Sequence, residues 1–527
     1  MSQGQRRSPV FILNEDSERT QGKDAQATNI NAGKAVAESV RTTLGPQGMD
    51  KMLVDSTGEV VITNDGVTIL QEMDIDHPAA QLIVEVAESQ EETTGDGTTT
   101  ASVLAGQLLG KAEDLVDRDI HPRTIVDGYA EAADIAQDEI DDIVLDDELD
   151  DDTLVKVATS SMTGKGTGEF DASELAELVV DAARAVRTEG PVDRDDIEIV
   201  AEPGATSHDT DIVGGVVAEE APAREGMARN LEDASVLVLD AELEKRETAV
   251  DVEYNVEGSQ QIDQALDSER EEFRSYAETL AEAGVDVLVT TSDIDDAIVD
   301  YFEDYGIFTL ENAEGFSDDT ASQIATATGA TVVGAIEEID PAHLGHADSI
   351  SVDEYGGETY TTVETEDAGI ATIFVRGGTT HVTDELERAI GDAVDVVATA
   401  LDQGGVVPGA GVTEIKIASR LRDEAAGVSG RKQLAVEAFA DAVEVLPRTL
   451  AENTGMDQID ALVDLRAANE GDARAGIIAR GETGEIADPL EAGILDPAQV
   501  KRKAVENAAE SASVILRIDD IISADKT

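Results

Sequence analysis

Between residues 26 and 150 the apolar residues recur every three or four positions, which is the spacing of amphipathic helices. The first such run places Val36, Val40 and Leu44 four residues apart and is ended by a Gly-Pro pair. A second helix is predicted after the His-Pro pair at 77 and 78. A third helix presents one apolar face, formed by Leu104, Leu108, Leu109, Ala112 and Leu115. This part of the chain is therefore predicted to be mainly helical.

Between about residues 217 and 368 the pattern changes to short runs rich in β-branched residues, separated by helical stretches. The runs are SVLVLDAEL, VDVLVTT, GIFTLEN and ATVVGAI. Such alternation predicts an α/β domain. Residues 258–283, within this domain, form a mostly polar helical pattern that is predicted to be an insertion. Its apolar residues are Ile262, Leu266, Phe273, Tyr276 and Leu280.

From about residue 405 the helical pattern returns. The stretch AFADAVEVLPRTLAENTG has an apolar stripe that Pro447 interrupts, and the stripe consists of Phe439, Val443, Leu446 and Leu450. Glycine-rich segments at 160–168 and 402–411 flank the middle of the chain and are candidate hinges. A length of 527 residues predicts roughly three or four domains.

The chain carries 115 acidic and 37 basic residues, which gives a formal net charge of −78. A small soluble domain usually has a net charge of only about 2 to 8 units in magnitude. Because 41% of the residues are apolar and alternate with charge throughout, we interpret the acids as a solvated coat rather than as disorder. Molar salt, with a Debye length of about 3 Å, would screen the self-repulsion of this coat. The composition therefore indicates a protein from a halophilic organism.

The same charge argues against nucleic acid and anionic membranes as partners, since phosphate recognition needs clustered lysine and arginine. The absence of cysteine excludes disulfides and thiolate metal sites. The opening RRSPVFIL resembles part of a twin-arginine signal, but Asn14, Glu15 and Asp16 follow at once. No apolar run of about 20 residues occurs elsewhere. We therefore expect a cytoplasmic protein without a membrane segment.

The segment ETTGDGTTTA, residues 92–101, places Asp96 between two glycines before the third predicted helix. A glycine turn that leads into a helix presents free backbone N–H groups to an anion such as phosphate. A carboxylate there would repel phosphate unless a divalent cation lies between them, and Mg²⁺ commonly uses one or two carboxylates plus phosphate oxygens. Asp96 is therefore a candidate magnesium ligand. The alternative is an ordinary turn in which Thr98 caps the helix and no ligand binds.

Two further glycine turns, TLGPQG at 43–48 and TNDG at 63–66, support a phosphate site, although the chain has no Walker A motif. Lys165, in the segment TGKG, is distinctive because lysine is scarce, but a flexible-loop lysine explains it equally well. Asp392 falls opposite the apolar stripe of a helix predicted over 384–401, so the pattern alone indicates a solvated acid. That stripe consists of Leu386, Ile390, Val394, Val397 and Leu401.

Ten stretches follow one another along almost the whole chain: RTQGKDAQATNI, VRTTLGPQGMDKMLVD, VITNDGVTIL, EMDIDHPAAQLIVEVA, GDGTTTA, SSMTGKG, RGGTTHVTDELERAIGDA, AFADAVEVLPRTLAENTGMDQID, GEIADPLEAGILDP and ILRIDDII. Together they resemble the group II chaperonins, the family of the archaeal thermosome and the eukaryotic cytosolic chaperonin. The resemblance implies a multidomain fold with three kinds of domain. These are a mainly α equatorial domain (1–152 and 405–527), an α/β intermediate hinge domain (153–216 and 369–404) and an α/β apical domain (217–368) with a helical protrusion at about 250–283.

The resemblance also implies a site for ATP and Mg²⁺, with Asp96 as the metal ligand. The implied cofactor-binding residues are Thr43, Leu44, Gly45 and Pro46 around the nucleotide, Gly97, Thr98, Thr99 and Thr100 on the phosphates, Lys165 sensing the γ-phosphate, and Gly411 and Asp496 near the nucleoside. The implied catalytic residues are Asp65 and Asp392, which would position the attacking water, with Asp392 as the base. Two departures from the family pattern are Ala410, where a glycine is usual, and Gln47, where a basic residue is usual.

The implied function is that of an ATP-dependent chaperone that encloses non-native proteins in a chamber. The resemblance predicts two stacked eight-membered rings of identical or paralogous subunits, closed by the protrusion as a built-in lid, without a separate lid protein. One alternative is a weakly hydrolysing scaffold subunit in a hetero-oligomeric ring. A second is a phosphotransferase that acts on a small molecule and forms at most a dimer.

Overall fold

The computed structural model of the protein describes residues 18–54, 58, 60–145, 149–165, 171–187, 191–243, 259–311, 318–366, 368–471, 473–481 and 483–523. The helices are α1 Lys23–Val40, α2 Gly66–Gln71, α3 Pro78–Thr94, α4 Thr98–Asp117, α5 Pro122–Ile143, α6 Asp151–Met162, α7 Ala172–Val186, α8 Ser259–Ala283, α9 Asp296–Tyr305, α10 Asp318–Thr328, α11 Thr380–Gln403, α12 Val412–Ala425, α13 Lys432–Val443, α14 Val445–Asn453, α15 Gln458–Ala468 and α16 Ala498–Leu516. The strands are β1 Glu18–Gln21, β2 Lys51–Val54, β3 Val60–Thr63, β4 Ile197–Pro203, β5 Asp211–Val213, β6 Gly215–Ala218, β7 Asn230–Leu239, β8 Val287–Thr290, β9 Phe308–Leu310, β10 Gly345–Tyr355, β11 Glu358–Glu364, β12 Ala371–Gly377, β13 Val406–Pro408, β14 Gly476–Arg480, β15 Thr483–Ala487, β16 Leu495–Pro497 and β17 Asp520–Ser523. Among these helices, none is both long and apolar enough to cross a lipid bilayer.

The chain folds into two compact units, each assembled from separate pieces of sequence. The first unit contains Met1–Asp150, Thr163–Lys165 and Gln403–Thr527, and the second contains Asp151–Met162 and Gly166–Asp402. The second unit is therefore inserted into the first. The predicted boundaries of the equatorial, intermediate and apical domains stay a prediction.

The first unit is built from helices around α4, which packs against α1, α3, α13 and α16. The predicted apolar face of α4 is confirmed, because its five residues are each at most 3% exposed. Helix α1 ends one turn earlier than the apolar spacing predicts. A short 3₁₀ turn at Arg41–Thr43 follows it, so Leu44 lies just beyond the helix and still packs against the core. Short antiparallel strand pairs complete this unit, including β1 with β17.

Helices α13 and α14 are two helices and not one, as the proline in their shared apolar stripe predicts. The break falls at Glu444, three residues before Pro447. A proline ring clashes with the carbonyl four residues earlier and donates no hydrogen bond, so a continuous helix through this segment is unfavourable. The new helix direction brings Pro447, Leu450 and Asn453 toward the glycine turns described below.

The second unit contains a six-stranded sheet in the order β6-β11-β10-β7-β8-β9 and a three-stranded sheet in the order β4-β12-β5. Strands β7, β8 and β9 are parallel, with α8 and α9 as the crossover helices, which confirms an α/β fold here. Three of the four predicted strands of this region are present. The fourth, ATVVGAI, is wrong as a strand, because it contributes only an isolated bridge between Val333 and Leu239 before a 3₁₀ turn.

Helix α8 corresponds to the described part of the predicted protrusion, whose residues 250–258 lie outside the described residues. Phe273 is 4% exposed and Leu280 is fully buried, and both belong to the core of the second unit. The face of α8 that carries Phe273 and Leu280 is therefore part of the core of the second unit. The extent of the protrusion and its role as a lid stay a prediction.

Candidate nucleotide-binding site

The N-terminus of α4 has the geometry of an anion site. Gly95 ends α3 with φ 62°, and Gly97 precedes α4 with φ 84°, both in the left-handed region that favours glycine. Gly97, and not Thr98 as the alternative interpretation required, is the N-cap, and no side chain caps the helix. The first N–H groups of α4 therefore lack helical acceptors and stand at the positive end of the helix dipole. Those groups belong to Thr98, Thr99 and Thr100.

The turn that precedes α4 is held from its buried side by Gln90, which is fully buried. Its Nε2 donates to the Asp96 carbonyl oxygen at 2.9 Å and to the Val500 carbonyl oxygen at 3.2 Å. A β-carbon placed on Gly97 would lie 2.8 Å from Val500 Cγ1, too close for any residue other than glycine. The turn is therefore held rigidly on its buried side.

The Asp96 carboxylate accepts the Gly97 N–H at 2.7 Å through Oδ1. Burial raises the pKa of Asp96, the charges of Lys165 and Lys501 oppose that increase, and the charge of Asp496 adds to it. A cation beside this carboxylate would favour its ionised form. No group of three or more His, Asp or Glu side chains that could hold a metal occurs in the described part of the chain. A Mg²⁺ ion at Asp96 would therefore take its other ligands from phosphate and water, as Mg²⁺ commonly does.

Asp65 lies directly beside the start of α4. It caps α2, where its Oδ2 accepts the Thr68 N–H at 2.8 Å, and the Thr98 hydroxyl donates to its Oδ1 at 3.4 Å. A β-carbon on Gly66 would lie 2.4 Å from Thr99 Oγ1, so the two turns are in contact. The structure thus brings the predicted residue Asp65 together with the predicted phosphate-binding threonines.

The turn at 43–48 and Lys165 meet on another side of the site. Gly45 has φ 86°, and a β-carbon on Gly164 would lie 3.1 Å from the Gly45 carbonyl oxygen and from Pro46 Cα. The Asn64 side chain donates to the Gly164 carbonyl oxygen at 2.8 Å. These contacts place Lys165 close enough to Asp96 for their charges to interact.

Other predicted residues of this turn act through the backbone or close the preceding helix. The buried Thr43 hydroxyl donates to the Val40 carbonyl oxygen at 2.8 Å. The Leu44 carbonyl oxygen accepts from Asn453 Nδ2 at 2.8 Å. Gln47 reaches away and donates through Nε2 to the Gly481 carbonyl oxygen at 2.6 Å. Leu44 and Thr43 therefore fix the shape of the turn.

The segment before α12 forms the last side of the site. Gly411, with φ 83°, is an N-cap without a side-chain cap, and Ala410 has φ 58°, which is uncommon for a residue with a β-carbon. A β-carbon on Gly409 would lie 3.1 Å from Asp496 Oδ2. Asp496 pairs with Val407 in the β13–β16 ribbon, so Asp496 lies beside the segment that leads to Gly411.

We call the turns at 43–48, 63–66, 95–97, 163–165 and 409–411 the glycine cradle. All the predicted site residues except Asp392 lie in the first unit, on or beside the cradle. Asp392 lies on α11 of the second unit and is half-buried, with the predicted residues Leu386, Ile390, Val394 and Val397 buried and Leu401 less so. Its part in a nucleotide site stays a prediction.

Sequence reasoning missed four polar residues that support the cradle, namely Gln90, Glu414, Asn453 and Lys501. Lys501 Nζ lies 2.8 Å from Asp496 Oδ2 and 2.9 Å from Glu414 Oε1. The sequence feature that could have identified these residues is a polar residue on the apolar face of a predicted helix. In a chain with this many charged residues, such a residue is easily taken for a solvated side chain.

Comparisons with known proteins identify the family of the chain. The sequence model of the TCP-1/cpn60 chaperonin family matches residues 36–526. The chain is 57% identical over 519 residues to thermosome subunit 3 of Haloferax volcanii, with 98% of each chain covered. It is 49% identical over 527 residues to thermosome subunit 1 of the same organism, with 99% of this chain and 92% of the relative covered. It is 48% identical over 527 residues to thermosome subunit alpha of Halobacterium salinarum, with 99% of this chain and 93% of the relative covered. These organisms are halophilic, in agreement with the acidic composition. The chain therefore belongs to the TCP-1/cpn60 chaperonin family.

Proposed function

We propose that this chaperonin subunit binds Mg·ATP in the glycine cradle and hydrolyses it to drive the folding of non-native proteins. The observation that supports the proposal is the uncapped N-terminus of α4, which follows the turn at 95–97 and contacts the turn at 63–66. Backbone N–H groups, the helix dipole and Lys165 all favour an anion there. The Asp96 carboxylate would repel an anion that bound alone, so its presence favours a divalent cation between the two.

The residues of the cradle have separate parts in binding. The first-turn N–H groups of Thr98, Thr99 and Thr100 would donate to phosphate oxygens, and Gly411 and Asp496 would face the nucleoside. Asp96 would hold Mg²⁺, which when bound neutralises phosphate charge and fixes the phosphate oxygens. Burial already raises the pKa of the Asp96 carboxyl, so a cation there relieves an unfavourable charge.

For hydrolysis, the proposal assigns two carboxylates to the attacking water. Asp65 is oriented by the Thr68 N–H and the Thr98 hydroxyl, so its position relative to the start of α4 is fixed. Asp392 would accept the proton of the water. Lys165, held beside Asp96 by the contact of Gly164 with the turn at 43–48, would respond to the γ-phosphate.

Asp96→Asn tests the binding site directly. We expect the variant to lose Mg·ADP binding in isothermal titration calorimetry, and to be at least as stable as the wild type without nucleotide, because a buried charge has been removed. Asp117→Asn is a matched control, because Asp117 is exposed at the other end of the same helix. Unchanged Mg·ADP affinity in Asp96→Asn would refute the proposed site.

At the level of the particle, we propose two stacked eight-membered rings in the cytoplasm, with no separate lid protein. Two relatives described above are paralogous subunits of one organism, which supports a hetero-oligomeric ring. Electron microscopy of particles purified in molar salt tests the ring number and the symmetry. A monomer or dimer would instead fit the small-molecule phosphotransferase, which family membership already disfavours.

The lid is tested by a deletion designed around the core of the second unit. Replacing residues 250–268 with a short linker spares Phe273, Ala277 and Leu280, which are buried in that core. ATP turnover should persist, while a trapped client should lose its protection against protease. A client that stays fully protected would contradict the lid.

The weakly hydrolysing scaffold is not favoured by the relatives, which match along nearly the whole chain. Asp392→Ala separates it from an active subunit. An active subunit should lose its ATP turnover and still bind Mg·ADP, whereas a scaffold would lose no measurable turnover.

A further inference from the structure

Lys501 lies beside the cradle, on the first turn of α16, between two carboxylates. Its Nζ is 2.8 Å from Asp496 Oδ2 and 2.9 Å from Glu414 Oε1. The Lys501 side chain is 14% exposed and that of Glu414 is 6% exposed, whereas that of Asp496 is 26% exposed. The buried end of this group is therefore Glu414, and the end that faces outward is Asp496.

Helix stability does not explain the position of Lys501. The start of a helix is its positive end, which favours acidic residues and disfavours cations. A buried ion pair also gains little stability over apolar residues of the same volume. Glu414 Oε2 moreover has no hydrogen-bond partner in the described structure, although it is buried. Neither the stability of the helix nor that of the ion pair accounts for this group of three charges. We therefore interpret the group by the orientation that it gives to Asp496.

That geometry links Asp496 to the cradle. Lys501 follows Val500, whose side chain touches Gly97 and whose carbonyl oxygen accepts from Gln90. Asp496 itself lies against Gly409, on the segment that leads to Gly411. The short segment from Asp496 to Lys501 therefore touches both the turn at 95–97 and the turn at 409–411.

We propose that Lys501 is a positioning residue that, anchored on the buried Glu414, holds the Asp496 carboxylate toward the nucleoside part of the bound nucleotide. The inference rests on the proposed function, since it assumes that the cradle binds ATP. A carboxylate only accepts hydrogen bonds, so Asp496 must meet a donor of the nucleoside, a ribose hydroxyl or a base amino group. Lys501 binds the Oδ2 oxygen of Asp496 and thereby orients the Oδ1 oxygen toward that donor.

A different role for Lys501 must be distinguished from this one. Lys501 also interacts electrostatically with Asp96, so it could instead serve the metal and the phosphates through its charge. The two roles predict different ligand dependence. A positioning role affects only ligands that carry a nucleoside, whereas a charge effect on Asp96 also affects ligands that carry phosphates alone.

The test measures the affinities of Mg·ADP and Mg·pyrophosphate by calorimetry in molar KCl. Lys501→Met should weaken Mg·ADP binding about tenfold, the size of one weakened charge-assisted hydrogen bond, and leave Mg·pyrophosphate binding unchanged. Equal weakening of both ligands, or no weakening of either, overturns the proposal. Lys503→Met is the matched control, because Lys503 lies on the same helix and pairs with Glu506 at 2.7 Å. It should bind both ligands as the wild type does.

A double-mutant cycle tests whether Lys501 acts through Asp496. If it does, Asp496→Asn combined with Lys501→Met binds Mg·ADP no more weakly than Asp496→Asn alone. Additive losses overturn the proposal. If Asp496→Asn by itself leaves Mg·ADP binding unchanged, the nucleoside contact of the proposed function fails as well, so the two failures are distinguishable.

Removing a buried lysine leaves two carboxylates facing each other, and the variant could misfold. The double variant Glu414→Gln with Lys501→Met removes one buried charge of each sign. Asp496 still lacks the lysine that positions it. This double variant should show the same selective loss of Mg·ADP binding, with a wild-type circular dichroism spectrum. A folded double variant with full Mg·ADP affinity overturns the proposal.

Discussion

Glu444 joins four helices of the first unit, α12 to α15, with the help of two arginines. It lies at the break between α13 and α14, and its side chain is 3% exposed. Arg422, from α12, donates to both of its carboxylate oxygens at 2.7 Å. Arg466, from α15, donates to the same two oxygens. Because α14 carries Asn453 to the Leu44 carbonyl oxygen, this ion cluster also fixes one wall of the cradle.

Glu444→Gln should destabilise the protein by about 3 kcal/mol. Breaking a buried ion pair by removing one partner costs about 3 to 5 kcal/mol. The lower end applies, because the Arg422 and Arg466 side chains are 33% and 46% exposed and water can reach them again. A glutamine keeps the shape, but its amide group turns an N–H donor toward guanidinium donors. One accepting oxygen is therefore lost as well as the charge.

The same cluster gives the stability a pH dependence with a defined sign. Burial alone would raise the pKa of Glu444, but the hydrogen bonds and charges of Arg422 and Arg466 outweigh burial and lower it. The unfolded carboxyl has a pKa of about 4.3. Stability from Glu444 is therefore fully present above that value and is lost as the pH falls through the lower pKa of the folded state.

Urea unfolding followed by far-ultraviolet circular dichroism in molar KCl measures both effects, since urea adds no charge. The control is Glu437→Gln on α13, whose carboxylate accepts only from Gln433 at 2.9 Å among the contacts described. We expect it to change the free energy of unfolding by less than about 0.5 kcal/mol. If Glu444→Gln changes the free energy of unfolding by less than about 1 kcal/mol, or if the change disappears as KCl is increased, the ion cluster does not stabilise the fold as a buried group.

Three further changes test the cradle and the second unit. Gly97→Ala should abolish Mg·ADP binding in calorimetry, because its β-carbon would lie 2.8 Å from Val500 Cγ1 at a φ of 84°; full affinity would contradict the rigid turn. Ala410→Gly should raise the free energy of unfolding by about 0.5 to 1 kcal/mol, since φ is 58°; a loss in urea melts would contradict this. Burial, with the charge of nearby Glu311, raises the pKa of Glu220 to about 7. Glu220 therefore destabilises the fold as the pH rises from about 4.3 to 7, and Glu220→Gln should remove that dependence from thermal melts; an unchanged pH profile would contradict it.

The sequence predicted the backbone features of the candidate site that depend on neighbouring residues. A glycine turn before a helix defines its own geometry, so the uncapped start of α4 follows from residues that are adjacent in the chain. The alternative with Thr98 as the cap failed because Gly97 takes the left-handed conformation that delivers the chain into the helix. The predicted stripe of α4 is buried for the same local reason, a period of 3.6 residues.

Contacts between distant segments could not be predicted in this way. Gln90 and Val500 are 410 residues apart, and Arg41 and Glu452 are 411 apart. No periodicity distinguishes Lys501 or Glu444 from the solvated charges that dominate the sequence. The segment ATVVGAI shows the converse error, because a β-rich run forms a strand only where a neighbouring strand has free hydrogen-bonding groups along its length. Val333 meets Leu239 at a single bridge.

A net charge of −78 is compatible with the proposed site for a polyanion because the repulsion of the acidic coat and the contacts of the cradle act over different distances. In molar salt the Debye length is about 3 Å, so the acidic coat is screened from the cradle, while N–H groups in direct contact with phosphate are not. The same screening weakens exposed ion pairs. The pairs that keep their strength are the buried ones, such as Lys501 with Glu414 and Arg422 with Glu444. Lys501, whose side chain is 14% exposed beside the cradle, therefore keeps an effect that salt does not cancel.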